Sequence, residues 1–242
     1  MPNNKAVIVT GGTGGLGVTV VEKLVKEGFK VYIPSRKLTE FNEIFDSSKN
    51  PGSEFALRKI YSFECNAEDE NEVYEFIGKV STAEKGKISG LVNLVGGINT
   101  SSNIEDVNTV DLMKMFSLNF LSCFYFTKGV LKIMKQNKYG RIISVGAIAA
   151  LESTKERFAY SMSKNAVINL MNTVSLEMKD YNIKCNTIIP SVIDTPTNRE
   201  WGSVDEIKKW VKPEEISDII FELISGKFSS VRESIIKLYG EY

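Results

Sequence analysis

A tyrosine and a lysine, Tyr160 and Lys164, stand four residues apart in a segment whose apolar spacing predicts a helix over Phe158–Asp180. Residues four apart lie on one face of a helix, so we expect the two side chains to be neighbours. An ammonium about 4 Å from a phenolate stabilises it by about 4 kcal/mol, which places the phenol pKa about three pH units lower, near neutrality. Such a tyrosine can act as a general acid or base.

A glycine-rich turn, Thr10–Gly17, joins a first buried strand to a first helix. Glycine permits positive φ angles and lets the backbone approach a diphosphate closely. A helix that begins at such a turn adds free N–H groups and positive potential. The pattern therefore predicts a dinucleotide site, whose contacts are made by Gly11, Thr13, Gly14, Gly15, Leu16 and Gly17.

The 242-residue chain has no histidine, and its 30 basic residues balance its 30 acidic residues. The absence of histidine excludes a Ser-His-Asp triad, a Cys-His pair and an HExxH zinc site. The zero formal charge gives no electrostatic reason to expect nucleic acid or a membrane as a partner. We expect no metal, reduced structural cysteines and, because no signal peptide or membrane span is indicated, a cytoplasmic location.

Short β-branched runs alternate with longer amphipathic segments along the chain. The predicted strands are Ala6–Thr10, Lys30–Pro34, one within Arg58–Cys65, Gly90–Val95, Arg141–Val145, Lys184–Ile189 and Ser234–Leu238. The predicted helices are Gly15–Glu27, Glu70–Ala83, Val110–Lys135, Phe158–Asp180 and Glu214–Ser225, and Ser47–Ser53 is predicted to be a loop. This alternation predicts a single α/β domain over residues 1–242, with a Rossmann-type doubly wound parallel sheet of about seven strands covered by helices on both faces.

With these motifs in order, the chain resembles the short-chain dehydrogenase/reductase family. The family pattern TGxxxGxG is present at Thr10–Gly17, and YxxxK is present at Tyr160–Lys164. Further matches are Asn93–Gly96 at a strand end, Asn119 in a helix, and the late segment Pro190–Thr195. The resemblance covers essentially the whole chain and implies a nicotinamide cofactor and a small-molecule substrate.

The resemblance also implies roles for individual residues. Tyr160 donates or accepts the proton, while Lys164 holds the nicotinamide ribose and lowers the tyrosine pKa. Asn119 supports a water-linked proton relay, or alternatively satisfies helix backbone. Thr195 binds the carboxamide, and the remaining cofactor contacts implied by the same motifs are Asn93, Val95, Gly96, Pro190 and Ile193.

One expected residue is missing, because the family usually places a serine thirteen residues before the tyrosine, where this chain has Ala147. That serine donates a hydrogen bond to the reacting carbonyl oxygen, and losing such a donor costs about 3–4 kcal/mol in the transition state. Ser144 is three residues away, so strand alternation predicts that it faces the opposite side. Three readings stay open. The chain is a non-catalytic NADP-binding sensor, or Ser153, Thr154 or a water replaces the serine, or the substrate needs no polarised ketone.

The third reading matches a subgroup, the quinoid dihydropteridine reductase-like enzymes, in which the serine is likewise absent and hydride passes to a conjugated ring. The resemblance lies in Val145–Leu151, Tyr160–Val167 and especially Asp194–Arg199. We therefore expect a dihydropteridine reductase-like oxidoreductase with Tyr160 as acid/base. The alternative enzyme is a carbonyl or 3-oxoacyl reductase that uses a substitute for the serine.

The end of the second strand bears on the choice of cofactor. An acidic residue there would bind the adenosine ribose and repel a 2′-phosphate, but this chain has Ser35 followed by Arg36 and Lys37. A guanidinium suits phosphate, so NADP(H) is favoured over NAD(H). Asn66, with Ala67 beside it, follows the third strand, where it either bonds the adenine or caps a loop.

Three expectations concern substrate and partners. Ala147 and Trp201 are the candidate substrate contacts, although Trp201 and Trp210 equally suit a lid or a subunit contact. Arg199 either binds an anion or caps a helix. The apolar helix around Leu112–Leu131 suits packing against a partner helix, so we expect a homodimer or homotetramer.

Overall fold

The structure, a computed structural model, describes residues 5–45, 59–98 and 102–241, and the predicted loop Ser47–Ser53 lies outside these ranges. The strands are β1 Ala6–Thr10, β2 Lys30–Ser35, β3 Ile60–Glu64, β4 Ile88–Asn93, β5 Gly140–Val145, β6 Ile183–Pro190 and β7 Ile235–Leu238. The helices are α1 Gly15–Lys26, α2 Leu38–Phe45, α3 Glu70–Ala83, α4 Thr109–Phe116, α5 Ser122–Asn137, α6 Phe158–Glu177, α7 Pro196–Arg199, α8 Val204–Ile207 and α9 Pro213–Ser225.

All seven strands pair in parallel in one sheet, in the order β3-β2-β1-β4-β5-β6-β7. Strand side chains alternate between the two faces, and both faces are buried. In β1, for example, Ala6 and Ile8 join one apolar core while Val7 and Val9 join the other. The predicted doubly wound sheet with helices on both faces is confirmed.

Helices cover each face of the sheet. One core packs α3, α5 and α6 onto the sheet, and the other packs α1 and α9. Of the helices in the described ranges, none has both the length and the apolar character that crossing a membrane requires. The chain order reverses between β1 and β4, and the carboxyl ends of strands at such a point form the usual ligand crevice of this fold.

One predicted helix, Val110–Lys135, is wrong as a continuous α-helix. The structure has α4, then a π-helical turn over Ser117–Leu121, then α5. A π turn accommodates one extra residue and is common at functional sites. Here it holds Asn119, whose side chain is turned to the backbone of Gly97 in the loop after β4. The apolar spacing continues through the turn, which is why it predicts one unbroken helix.

Candidate active site

The glycine-rich turn fits a diphosphate. Gly11 has a φ of +66°, and the N–H of Gly14 donates to its carbonyl at 3.0 Å. A Cβ on Gly17 would lie 2.0 Å from that same carbonyl oxygen, so the close packing of turn and helix requires glycine there. No side chain caps α1 and no acidic residue lies in its first turn. The free N–H groups and the positive helix end are therefore directed to an anion.

Thr10 ties this turn to the end of the neighbouring strand, a role the sequence did not suggest. Its Oγ1 accepts hydrogen bonds from the N–H of Leu94 at 3.1 Å and of Val95 at 3.3 Å. The side chain is almost fully buried. The ends of β1 and β4 are thus joined by side-chain bonds as well as by strand pairing, and the signal in the sequence is the threonine that opens the TGxxxGxG pattern.

The side chain of Asn93 is engaged inside the sheet, and its contact with the cofactor stays a prediction. It is buried, and its Nδ2 donates to Ser144 Oγ at 3.1 Å and to Thr127 Oγ1 at 3.3 Å. Asn93 lies beside Thr10 and Ser144 in register on three neighbouring strands. These two bonds join the end of β4 to α5 and to β5, so the Asn93 side chain stabilises the packing of α5 on the sheet.

Lys164 lies at the carboxyl end of β5, as expected. It is 6% exposed, and its Nζ donates to the carbonyl of Val145 at 3.1 Å. Burial lowers the pKa of Lys164 to about 8, since the charged form is the one that loses most hydration. A Cβ added at Gly96 would lie 2.8 Å from Lys164 Nζ and 2.6 Å from Asn119 Oδ1. The structure therefore brings Lys164, Asn119 and Gly96 together.

The predicted pKa of Tyr160 is wrong. Burial raises the pKa of Tyr160 to about 12, and the positive charge of Arg157 opposes this only in part. The spacing of Tyr160 and Lys164 predicts attraction between the ammonium and the phenolate but says nothing about lost hydration, which dominates here. The consequence is chemical, because at neutral pH Tyr160 keeps its proton and is a donor.

Asn119 and Ser163 form a network behind the tyrosine. The Asn119 side chain accepts from the N–H of Gly97 at 2.9 Å and donates to the carbonyl of Gly97 at 3.0 Å and to Ser163 Oγ at 3.1 Å. Ser163 Oγ donates to the carbonyl of Tyr160 at 2.8 Å. These bonds support the second reading for Asn119, in which its side chain satisfies backbone groups. The groups belong to Gly97 in the loop after β4 and not to the helix of Asn119. Ser163 was missed, and only its place beside Lys164 could have indicated it.

Ala147 is buried in extended backbone just after β5. Ser144 is fully buried and donates to Met171 Sδ at 3.1 Å, so it lies in the core on the α6 side, as expected from strand alternation. Thr154 is exposed and donates to the carbonyl of Glu152 at 3.4 Å, and Ser153 is exposed. Neither hydroxyl forms a hydrogen bond toward Tyr160 within the described residues.

The end of β2 has two exposed cations and a serine whose hydroxyl is already hydrogen-bonded. Ser35 is buried and its hydroxyl donates to the carbonyl of Lys37 at 2.9 Å, and its contact with the cofactor stays a prediction. Arg36 and Lys37 are exposed, and no hydrogen bond or ion pair joins either side chain to another described residue. Asn66 Oδ1 accepts from the N–H of Glu68 at 3.2 Å, which supports its loop-capping reading, and Ala67 beside it is buried.

Thr195 lies against the glycine-rich turn, and its contact with the carboxamide stays a prediction. A Cβ on Gly15 would lie 2.9 Å from the Cβ of Thr195. Pro190 is the buried last residue of β6, and Ile193 pairs with Val211 in a parallel bridge. The cofactor-binding residues predicted near Thr195 therefore lie at the same edge of the sheet as Gly15.

Arg199 is engaged by a carboxylate of its own chain, so its two predicted roles, binding an anion and capping a helix, stay predictions. It forms a bidentate ion pair with Asp194, whose other partner is Lys212. These two cations hold the pKa of Asp194 at about 2 despite the burial of the carboxylate. Trp201 is 61% exposed and packs on the buried Trp210, with 4.9 Å between ring centroids.

A doubly wound parallel sheet with a diphosphate turn after β1 and a Tyr/Lys pair after β5 defines a dinucleotide-dependent oxidoreductase. The family model for short chain dehydrogenases matches residues 5–206, so the chain belongs to the short-chain dehydrogenase/reductase family. It is 31% identical over 250 residues to the 7alpha-hydroxysteroid dehydrogenase of Clostridium sardiniense, covering 98% of this chain and 93% of that one.

Two solved structures show how closely the fold is shared. ElxO with NADP bound matches with a TM-score of 0.89 at 26% identity, covering 99% of this chain and 98% of that one. A xylitol dehydrogenase with bound NAD+ matches with a TM-score of 0.86 at 22% identity, covering 98% of each chain. The second similarity concerns the fold alone, and the two structures hold different cofactors.

Proposed function

We propose that the chain is an NADP(H)-dependent reductase in which Tyr160 donates the proton. The observation that carries this proposal is that Tyr160, half-buried in α6, lies one helical turn from the buried amino group of Lys164, while lost hydration raises the pKa of Tyr160 so that it holds its proton at neutral pH. A general acid must hold its proton until the substrate needs it. Family membership with oxidoreductase relatives favours this reading over a non-catalytic NADP-binding sensor.

The residues of the site divide the work. A bound nicotinamide dinucleotide supplies the hydride. The N–H groups at the start of α1 hold the diphosphate, and Thr195 binds the carboxamide beside them. Lys164 donates one of its three N–H groups to the carbonyl of Val145, and the other two can donate to ribose hydroxyls. Asn119 and Ser163 fix the backbone of the loop after β4 and of Tyr160, so that the acid is held in place.

For the substrate, we propose an acceptor whose reducible bond is conjugated with a heteroaromatic ring, as in the dihydropteridine reductase-like subgroup. Ala147 supports this, because its methyl group cannot donate a hydrogen bond to a carbonyl oxygen. A conjugated ring spreads the charge that hydride transfer creates and depends less on a second donor. The second candidate is carbonyl reduction, which the 7alpha-hydroxysteroid dehydrogenase relative supports.

The experiment that tests the substrate is NADPH oxidation with quinonoid dihydropterin, compared with cyclohexanone and a 7-oxo steroid. We expect the dihydropterin to have a kcat/KM at least about 100-fold above that of the ketones, the typical worth of one missing oxyanion donor. Ketone turnover without dihydropterin turnover would exclude the first candidate. NADPH binding with no turnover of any acceptor would favour the sensor.

We predict that Arg36→Ala weakens the binding of NADPH but not that of NADH. A guanidinium–phosphate contact is a charge-assisted hydrogen bond, so its loss should raise the Kd for NADPH about 10- to 100-fold and leave the Kd for NADH nearly unchanged. Fluorescence titration of both nucleotides measures this. Lys79→Ala, which removes another exposed cation from α3, is the control and should change neither Kd. A lower Kd for NADH than for NADPH in the unaltered protein would refute the preference.

We also propose a homodimer or homotetramer. Phe116, Phe120 and Phe124 form a row of half-buried rings from α4 through the π-helical turn into α5, with centroid distances of 4.6 and 6.0 Å. A row of partly exposed aromatic rings on one helical face supports packing against the same helix of a second copy.

A further inference from the structure

The segment Pro196–Trp210, here called the flap, leaves the sheet and returns to it at a narrow neck. Its two ends are joined by the parallel bridge between Ile193 and Val211. The N–H of Asp194 donates to the carbonyl of Val211 at 2.9 Å, and the N–H of Val211 donates to the carbonyl of Val192 at 3.0 Å. The neck is therefore held by backbone bonds that no side-chain substitution removes.

The carboxylate of Asp194 lies in this neck, with only 3% of its side chain exposed. It accepts from Arg199 Nε and, at 3.0 Å, from Arg199 Nη2, and also from Lys212 Nζ at 2.9 Å. Arg199 belongs to the flap, whereas Lys212 lies just beyond the neck on the way into α9. One carboxylate thus links the first helix of the flap to the rigid body of the fold.

The same carboxylate is one residue from the proposed cofactor contact. Thr195 immediately precedes the flap, and its Oγ1 accepts from the N–H of Asn198 at 3.4 Å. Asn198 Nδ2 also donates to the carbonyl of Ile193 at 2.8 Å. Since Gly15 has no side chain, Thr195 and Pro196 can lie directly on the glycine-rich turn. The position of α7 therefore determines the position of Thr195.

We infer that Asp194 is a positioning residue whose ion pair with Arg199 holds the start of the flap, and with it Thr195, against the glycine-rich turn. This inference rests on the proposed role of Thr195 toward the cofactor. Without the ion pair, the side-chain hydrogen bonds that tie α7 to other described residues are neutral ones, while the backbone bonds of the neck remain. The expected consequence is a more mobile flap and weaker cofactor binding in a protein that is still folded.

The flap contains both tryptophans of the chain, so their fluorescence reports on this segment alone. Trp210 is 3% exposed, and Gly202 leaves the room its ring needs, because a Cβ there would lie 2.2 Å from Trp210 Cη2. In a Trp201→Phe background, Trp210 is the single fluorophore. Acrylamide quenching of Trp210 then measures the opening of the flap without cofactor or substrate.

The test compares Asp194→Asn and Arg199→Gln with the control Asp205→Asn, all in the Trp201→Phe background. Asp205 lies in the same flap, and its pair with Lys208 is exposed. Charge-assisted bonds are the stronger ones, so we expect both test variants to raise the quenching constant of Trp210 at least about threefold and the KM for NADPH about tenfold, with kcat within about twofold. The control should leave all three unchanged, and Arg199→Lys should restore part of the effect.

Arg199→Gln leaves Asp194 paired with Lys212, so it keeps the test valid if Asp194→Asn does not fold, as judged by circular dichroism. Unchanged quenching in folded Arg199→Gln overturns the inference about the flap. Increased quenching with an unchanged KM for NADPH overturns the link to Thr195. Failure of the proposed function is distinguishable, since the unaltered protein would then turn over no acceptor while the quenching experiment still gives its result.

Discussion

Replacing Tyr160 by phenylalanine is expected to lower kcat by about 10³-fold or more with any acceptor that the protein reduces, because a positioned general acid contributes about 10²–10⁴. Within the described residues, the hydrogen bond of the Lys164 side chain goes to the carbonyl of Val145, and Tyr160 lies one helical turn from that lysine. Phenylalanine keeps the ring and removes only the hydroxyl. The fold should therefore be preserved while the proton donor is lost.

Cofactor binding is expected to survive the Tyr160→Phe substitution. The diphosphate site is built from backbone N–H groups of the glycine-rich turn, and Lys164 keeps its bond to Val145 without help from Tyr160. The Kd for NADPH should therefore stay within about threefold, because no charge-assisted bond is removed. Fluorescence titration for binding and stopped-flow absorbance for hydride transfer separate the two effects.

Tyr181→Phe is the matched control, since it removes a tyrosine hydroxyl in the turn that follows α6. Its ring faces Lys135 at 4.6 Å, and phenylalanine retains that contact. Normal kcat in Tyr181→Phe with a 10³-fold loss in Tyr160→Phe assigns the proton to Tyr160. A Tyr160→Phe variant with more than about a tenth of the original kcat would contradict the assignment, since general acids rarely contribute so little.

The strands and long helices were predictable because their residue patterns match their burial. Every residue of β1 is buried, and a run such as AVIVT has no other place in a folded chain. The helices that were not predicted are those with few buried apolar side chains. Only Phe45 of α2 is fully buried, and α7 and α8 have four residues each, which is too short for apolar periodicity to register.

The assembly of the site was predictable to the level of which backbone segments meet. Motifs at strand ends must share one edge of a parallel sheet, so Lys164, Asn119 and Gly96 converge, as do Thr195 and Gly15. Motif order and strand position are sufficient for this, because the topology of the sheet fixes which ends are neighbours.

The sequence could not predict the hydrogen-bond partners or the pKa of each side chain in the site. Asn93 and Ser35 are engaged by Ser144 and by the carbonyl of Lys37, partners that depend on register and turn geometry. The pKa of Tyr160 depends on the lost hydration of a site formed by distant segments. The bond between Asp194 and Arg199 crosses one helical turn in a segment with too little apolar pattern to predict its helix.

The second large effect is expected from restoring the missing donor. Ala147→Ser should raise kcat/KM for an unconjugated ketone such as cyclohexanone about 10²- to 10³-fold, the typical worth of one oxyanion donor. The position has extended backbone, with φ −159° and ψ 152°, which serine adopts without strain. The change adds one oxygen atom to a buried residue, so a folded Ala147→Ser variant, checked by circular dichroism, is part of the test.

The gain should be selective if the substrate proposal is correct. A conjugated acceptor already stabilises the charge of its transition state, so its kcat/KM should change by less than about fivefold, well below the typical worth of an oxyanion donor. Ala149→Ser makes the same chemical change two residues along, in the short helical turn Ile148–Ala150. It should leave kcat/KM unchanged for both acceptors. Steady-state kinetics with both acceptors and all three proteins measures the comparison.

An equal gain for both acceptors would mean that charge on the substrate oxygen limits both reactions, and the conjugated acceptor would lose its main support. No gain for the ketone would mean that another donor already bonds the oxygen. Ser144 cannot be that donor, because it is buried and its hydroxyl donates to Met171 Sδ. In either case the methyl group of Ala147 would no longer explain the choice of substrate, and carbonyl reduction would become the preferred activity.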